Sequence, residues 1–169
     1  MKCESCGGNV LETRLDSYHF DESGLDDVTL VGVIERRCDK CNEREVVLPK
    51  LKELHRTIAK ALAAKNGLLT PPEVRFLRKH LGYSQADFAE RINVRPEAVS
   101  RWETGAEELS WHFELLLRAM VMLELRERNY TLKSFGEVQK KRMAAPVRIF
   151  AEKAAWRPDS TNMVTAAAC

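Results

Sequence analysis

The spacing of apolar side chains divides the chain into two halves with different periods. Before residue 49 the alternation is that of strands. Val10 to Phe20 is strand-like, and Val28, Leu30 and Ile34 alternate through Val28–Arg37 as in a half-buried strand. Gly7-Gly8-Asn9 and the polar stretch Asp21–Asp27 separate these runs as turns, and Glu45–Leu48 suits a short closing strand. From Pro49 the period becomes helical. Leu51, Leu54, Ile58, Ala61 and Leu62 make one face of a connector helix, with Pro49 in its first turn and Gly67 as its stop.

Explicit punctuation then marks four more helices. Thr70-Pro-Pro-Glu73 is a capping box that starts a helix running to about Leu81, closed by Gly82. Ser84, with Asp87 three residues on, starts a second through Ile92, and Asn93 suits a left-handed turn. Pro96 opens a third that ends at Gly105, and Ser110 opens a long apolar fourth to about Arg128. After Asn129 the pattern weakens: Leu132 to Arg142 suits a helix, Pro146 interrupts, and Arg157 to Cys169 has the composition of disorder.

Charge changes this picture by showing that the halves face different partners. The 27 Lys and Arg against 25 Asp and Glu leave a net of only +2. Residues 1–48, however, carry 6 basic and 11 acidic side chains, a net of −5. Residues 49–128 carry a net of +3 and residues 129–169 a net of +4. An acidic head on a basic body suggests two units with separate partners. With 44% hydrophobic residues the chain can bury a core. No stretch approaches the roughly 18 apolar residues of a membrane span. MKCESCGG lacks the apolar segment of a secretory signal, so a cytoplasmic location is expected.

In a reducing compartment, paired cysteines are metal ligands before they are disulfides. Cys3-x-x-Cys6 and Cys38-x-x-Cys41 are two equal knuckles 31 residues apart, enough chain for a hairpin that returns one to the other. Zinc accepts four thiolates in a tetrahedron, and four protein ligands leave no open position for catalysis. One structural Zn²⁺ is therefore expected, its excess negative charge offset by Lys2, Arg36, Arg37 and Lys40. The alternatives are four free cysteines or two disulfides. His19 fits an ordinary strand position better than a ligand.

The second constellation is Gln85 to Gly105. Ala89 is small enough for two helices to cross closely, Asn93 makes the turn, and Val94 plugs it. On the next helix Ala98, Val99 and Trp102 face inward, while Glu97, Ser100, Arg101 and Thr104 fall on one polar face able to enter a major groove. Arg101 suits two hydrogen bonds to guanine, Gln85 a phosphate contact, and Arg75, Arg78, Lys79 and Arg95 further phosphate neutralisation. Glu97 suits either cytosine or the helix N-terminus itself.

Together, the quoted knuckles and Ser84 through Gly105 resemble the MqsA-type antitoxins of bacterial type II toxin–antitoxin systems, which join a YgiT-type zinc finger to a Cro/CI-like helix-turn-helix. The resemblance covers about residues 1–128. It implies a mainly α fold with a small β-rich zinc-binding N-terminal domain and a Cro/CI-like helix-turn-helix bundle in the second. The expected division is 1–48 zinc-binding hairpin domain, 49–67 connector helix, 68–128 DNA-binding domain and 129–169 basic extension, partly helical or disordered. It further implies a homodimer on a palindromic operator in double-stranded DNA, nucleoid-associated when bound, and a zinc domain that neutralises a small toxin. Arg101 matches a base-reading arginine of that family; Glu97 stands where asparagine is expected, and Asn42 where a second glycine is common. Part of the apolar fourth helix, Trp111 to Leu125, is a dimer face or ordinary core. The alternative is a stand-alone zinc-containing regulator responsive to metal or oxidants. No catalytic motif is present, and an enzyme is not expected.

Overall fold

The computed structural model describes residues 1–127, 146–152 and 155–161, together with Ser134, Gly136, Val138 and Met163. Among the described residues, seven strands and five helices follow one another as β1 (Val10–Arg14), β2 (Tyr18–His19), β3 (Val28–Val31), β4 (Ile34–Cys38), β5 (Arg44–Val47), α1 (Leu51–Ala63), α2 (Pro71–His80), α3 (Gln85–Arg91), α4 (Pro96–Thr104), α5 (Trp111–Glu124), β6 (Val147–Glu152) and β7 (Ala155–Pro158). A strand-rich N-terminal region carrying the four cysteines thus precedes a helical body, as the apolar periods predict.

The run expected as one strand, Val28–Arg37, is two. Gly32, at φ 80°, breaks it, and its halves join different sheets. Glycine is required there by that left-handed backbone, which side chains adopt only at a cost, and the Arg14 guanidinium lies in the space a Cβ would enter. The first sheet has the order β1-β4-β5, all antiparallel, with Val10 opposite Cys38 and Arg36 opposite Glu45. The second has the order β2-β3-β6-β7.

That second sheet corrects the expectation for the C-terminal extension. Residues 147–158 form a hairpin in place of helix or disorder, and β6 lies parallel to β3, with Leu30 beside Ile149. Val147 and Ile149 sit in the core and Arg148 outside it. Burying β3 requires a neighbour for its hydrogen bonds, and β6 supplies one. The Trp156 indole is also buried and donates to the Pro49 carbonyl, 2.8 Å away, at the entry to α1. Most of the expected helix over Leu132–Arg142 lies outside the described residues, as does most of 159–169.

The connector helix is a core helix. Leu54, Ile58, Ala59 and Leu62 of α1 are fully buried, packed against α2 and α5 on one side and the hairpin on the other. One apolar cluster runs from Phe20 and Leu30 of the head through α1 to Val99 and Trp102 of α4. α1 ends at Ala63, four residues before Gly67, for a reason that sequence spacing does not show. Arg118 of α5, fully buried, donates to the carbonyls of Ala63 at 3.0 Å, Lys65 at 2.7 Å and Gly67 at 2.5 Å. It thereby satisfies the last carbonyl of α1, and two of the turn beyond it, from outside the helix. Glu114 holds Arg118 at 2.8 Å and accepts from the Leu69 amide at 3.2 Å.

α5 ends at Glu124 rather than near Arg128. Arg126, at φ 58°, closes it as Asn93 closes α3: Glu127 N bonds Met122 O at 3.0 Å, just as Val94 N bonds Ala89 O at 2.9 Å.

Candidate functional site

The cysteine knuckles lie at one end of the first sheet. Cys3 and Cys6 precede β1, Cys38 ends β4 and Cys41 sits in the turn to β5. Gly7 at φ 69° and Asn42 at φ 59° each follow the second cysteine of a knuckle, so the two turns share one backbone shape. Asparagine is among the few residues that take that conformation at small cost, which explains Asn42 in a glycine position. Cys3 N donates to Gly8 O and Cys38 N to Glu43 O, both at 2.9 Å, closing equivalent loops. Asp39 joins the knuckles by accepting from Asn9 N at 2.9 Å. Gly8 is where they touch: a Cβ there would stand 2.9 Å from Cys38 Sγ.

The four sulfurs all lie within 4.8 Å of one another, with Cys6 to Cys38 at 3.4 Å and Cys3 to Cys41 at 3.7 Å. A disulfide needs about 2.05 Å, so these are free thiols. Bonds of about 2.3 Å from a tetrahedral zinc ion place sulfurs about 3.8 Å apart, so this donor set fits such an ion. Amides of Gly8 and Lys40 donate to Cys6 and Cys38 sulfurs, each at 3.4 Å. Hydrogen bonds from the Cys41 and Lys40 amides lower the Cys38 thiol to about 7, favouring the thiolate that binds metal. The site can hold a metal ion. Three of the four cations expected to offset its charge have other partners: Lys2 bonds Asn9, Arg36 bonds Glu12 and Arg37 bonds Asn42. His19 pairs with Asp21 at 2.8 Å and is not part of the sulfur cluster.

The second candidate site is built by α2, α3 and α4. Ser84 caps α3, its hydroxyl accepting from Asp87 N at 3.1 Å. Ala89 is fully buried, Asn93 is left-handed at φ 56°, and Val94 packs beneath the turn. Val99 and Trp102 bury the inner face of α4, and Trp102 lies 5.1 Å from the Phe113 ring of α5. Arg95, Glu97, Arg101 and Thr104 are exposed, with Ser100 half-buried among them. Arg101 pairs with Glu107 at 2.7 Å, an exposed contact that is weak and exchangeable. The Thr104 hydroxyl donates to its own helix, at Ser100 O.

Two residues expected at phosphates are turned inward or sideways. Arg78 is buried, forked onto Glu103 at 2.5 and 2.9 Å and bonded to Tyr83 O at 2.6 Å. It is a structural ion pair, not a phosphate contact, because leaving Glu103 uncompensated in the core would be costly. Gln85 donates to the same carboxylate at 2.8 Å. Glu103 therefore ties the start of α3 and the end of α4 to α2 and fixes the angle at which α4 is presented. Glu103 carried no sequence signal beyond its place on the apolar side of α4.

A helix-turn-helix family model matches residues 74–110. The match spans α2, α3 and α4, so the helix-turn-helix assigned from geometry and the one assigned by comparison coincide. Comparison with curated proteins and with solved structures finds no match. The helix-turn-helix is a DNA-binding module, and the exposed face of its α4 is the part shaped for a groove. Among the described residues, no helix is long and apolar enough to cross a membrane.

Proposed function

We propose that the protein is a cytoplasmic, non-enzymatic transcription regulator that binds double-stranded DNA sequence-specifically through α4 and holds one structural Zn²⁺ at Cys3, Cys6, Cys38 and Cys41. The observation that carries this reading is the exposed face of α4 within the matched segment, held at a set angle by the Arg78–Glu103–Gln85 contacts. Arg95 and Gln85 flank the phosphates, while Glu97, Ser100, Arg101 and Thr104 meet base edges. A homodimer on a palindromic operator follows from the small size of one module; half-sites about 34 Å apart would meet two copies of α4. Leu116 and Leu123, exposed on α5 at 41% and 78%, supply an apolar dimer face. The acidic head, net −5 over residues 1–48, suits a small basic toxin, which makes the regulator an antitoxin that represses its own operon.

Selection of bound DNA from random sequence, followed by titration of Arg101→Ala, tests the groove assignment. Arg101→Ala weakens operator binding by about 1–3 kcal/mol with helicity and metal content intact. Unchanged affinity removes Arg101 from the reading face. Capture of the full chain from its own cell tests the toxin: a stoichiometric small basic protein, lost with Cys38→Ser, supports it.

The continuous core favours a second reading, a stand-alone metal-responsive regulator. The head is welded to the body through β3, β6 and α1, so loss of metal has a packed route to α4. Operator affinity that collapses on chelation supports this alternative.

A further inference from the structure

The C-terminal hairpin turns an unusual set of side chains to one face of the second sheet. With Val147, Ile149 and Trp156 in the core, Arg148, Phe150, Glu152 and Arg157 project from the opposite face. The register sets Phe150 between Val31 of β3 and Arg157 of β7. Guanidinium carbons of Arg157 and Arg148 lie 5.3 and 5.7 Å from the Phe150 ring centre. Arg14 crosses Gly32 to the same end of the sheet and donates to Ala151 O at 3.4 Å.

Two carboxylates meet three guanidiniums here, which leaves an excess of positive charge. Glu152 pairs with Arg157 at 2.8 Å; Asp159, held below its usual value by hydrogen bonds from Thr161 and then by the charges of Arg148 and Arg157, is the second, and Arg14 forms no ion pair with a described residue. Each guanidinium resting on the ring is held at low entropic cost, with N–H groups still free at its edge. Planar cations around a half-exposed aromatic ring on a sheet face match phosphates joined to unstacked bases. A duplex offers phosphates but no base faces.

We propose that the outer face of β3, β6 and β7 binds single-stranded nucleic acid, with Arg14, Arg148 and Arg157 on phosphates and Phe150 stacked on a base. This surface packs behind α1, whereas α4 packs on α2 and α3, so it is separate from the duplex-reading helix and does not rest on that reading.

The test is fluorescence titration of the full metal-loaded chain with short oligothymidylate and oligouridylate, between about 50 and 200 mM salt. Wild type binds both or one, the preferred strand naming the source as DNA or RNA. The double variant Arg148→Ala/Arg157→Ala loses about tenfold in affinity and flattens the slope of log K against log salt by about 1.4, since each strand phosphate contributes about 0.7. Phe150→Leu loses about tenfold with the slope unchanged, as expected for stacking. Arg101→Ala leaves single-strand binding intact while weakening the duplex operator. Arg148→Lys/Arg157→Lys keeps the slope and shows that the hairpin folds. Three results overturn the proposal: wild-type affinity in the double alanine variant, loss of single-strand binding in Arg101→Ala, or competition by polyglutamate equal to that by an oligonucleotide.

Discussion

In the sheet of β1, β4 and β5, Cys38 is the one buried residue, and the rest of its strands are half-buried or exposed. In α1 alone, six side chains are buried, five of them fully. Both regions hold their backbone in a single arrangement, yet they draw on different terms. The helical body removes apolar area from water around one cluster. The first sheet has almost no apolar area to remove, and four sulfurs at its end stand where a core would otherwise be. A metal can substitute for a core because its binding energy becomes folding energy when no preformed site exists in the unfolded chain.

The largest test of that contrast is removal of the metal. Apparent binding energies of about 10–16 kcal/mol in small zinc modules leave the first sheet nothing comparable once the ion is gone. A strong chelator, or Cys38→Ser, is expected to erase amide protection in β1, β4 and β5 while protection in α2–α5 persists. Hydrogen exchange checks it, and loss of helical protection in step with the strands would merge the two regions into one.

The converse break is in the body. Arg118→Met removes a buried cation that caps α1 and faces Glu114, which leaves an uncompensated carboxylate. The expected loss is about 3–5 kcal/mol in urea unfolding, with the metal site's affinity unchanged. A smaller lesion separates the regions in the other direction. Gly8→Ala forces a methyl against Cys38 Sγ and is expected to cost about 1–3 kcal/mol, confined to the head and read as weakened metal affinity.

The smallest effect tests where the regions join. His55 of α1 lies between Phe20 of the head and Phe76 of α2, with ring centres 6.3 and 6.1 Å away. Burial, then the charge of His80, hold its imidazole below its usual value. The fold therefore favours neutral His55, and the unfolded chain binds the extra proton first. Stability is undiminished above about pH 6.5 and falls as the pH drops below that. Urea unfolding at two pH values checks it: wild type loses more than His55→Gln on acidification. Equal losses would assign the effect to other groups.

The sequence carried the candidate sites more fully than it carried the frame around them. Cysteine spacing, the capping boxes at Thr70 and Ser84, and the left-handed Asn93 are local features, set by a few neighbouring residues, and they are where the pattern placed them. Arg78 was misplaced because the same residue type serves phosphates and internal carboxylates equally well. Only the position of Glu103, on another helix, decides between those uses. The hairpin did leave a signal, the alternation of Val147, Ile149 and Ala151 with Arg148, Phe150 and Glu152. Six residues after a polar, basic stretch do not announce a partner strand that lies more than a hundred residues earlier.

From its residues alone, then, this chain specifies two knuckles, five helices, two of them opened by capping boxes, and a polar face on α4, because turns, caps and helical periods are short-range. Tertiary structure decided the parallel pairing of β6 with β3, the end of α1 at Ala63 and the inward turn of Arg78. Each of those depends on a backbone group or charge that must be satisfied by a partner distant in sequence, and burial is what makes leaving it unsatisfied costly.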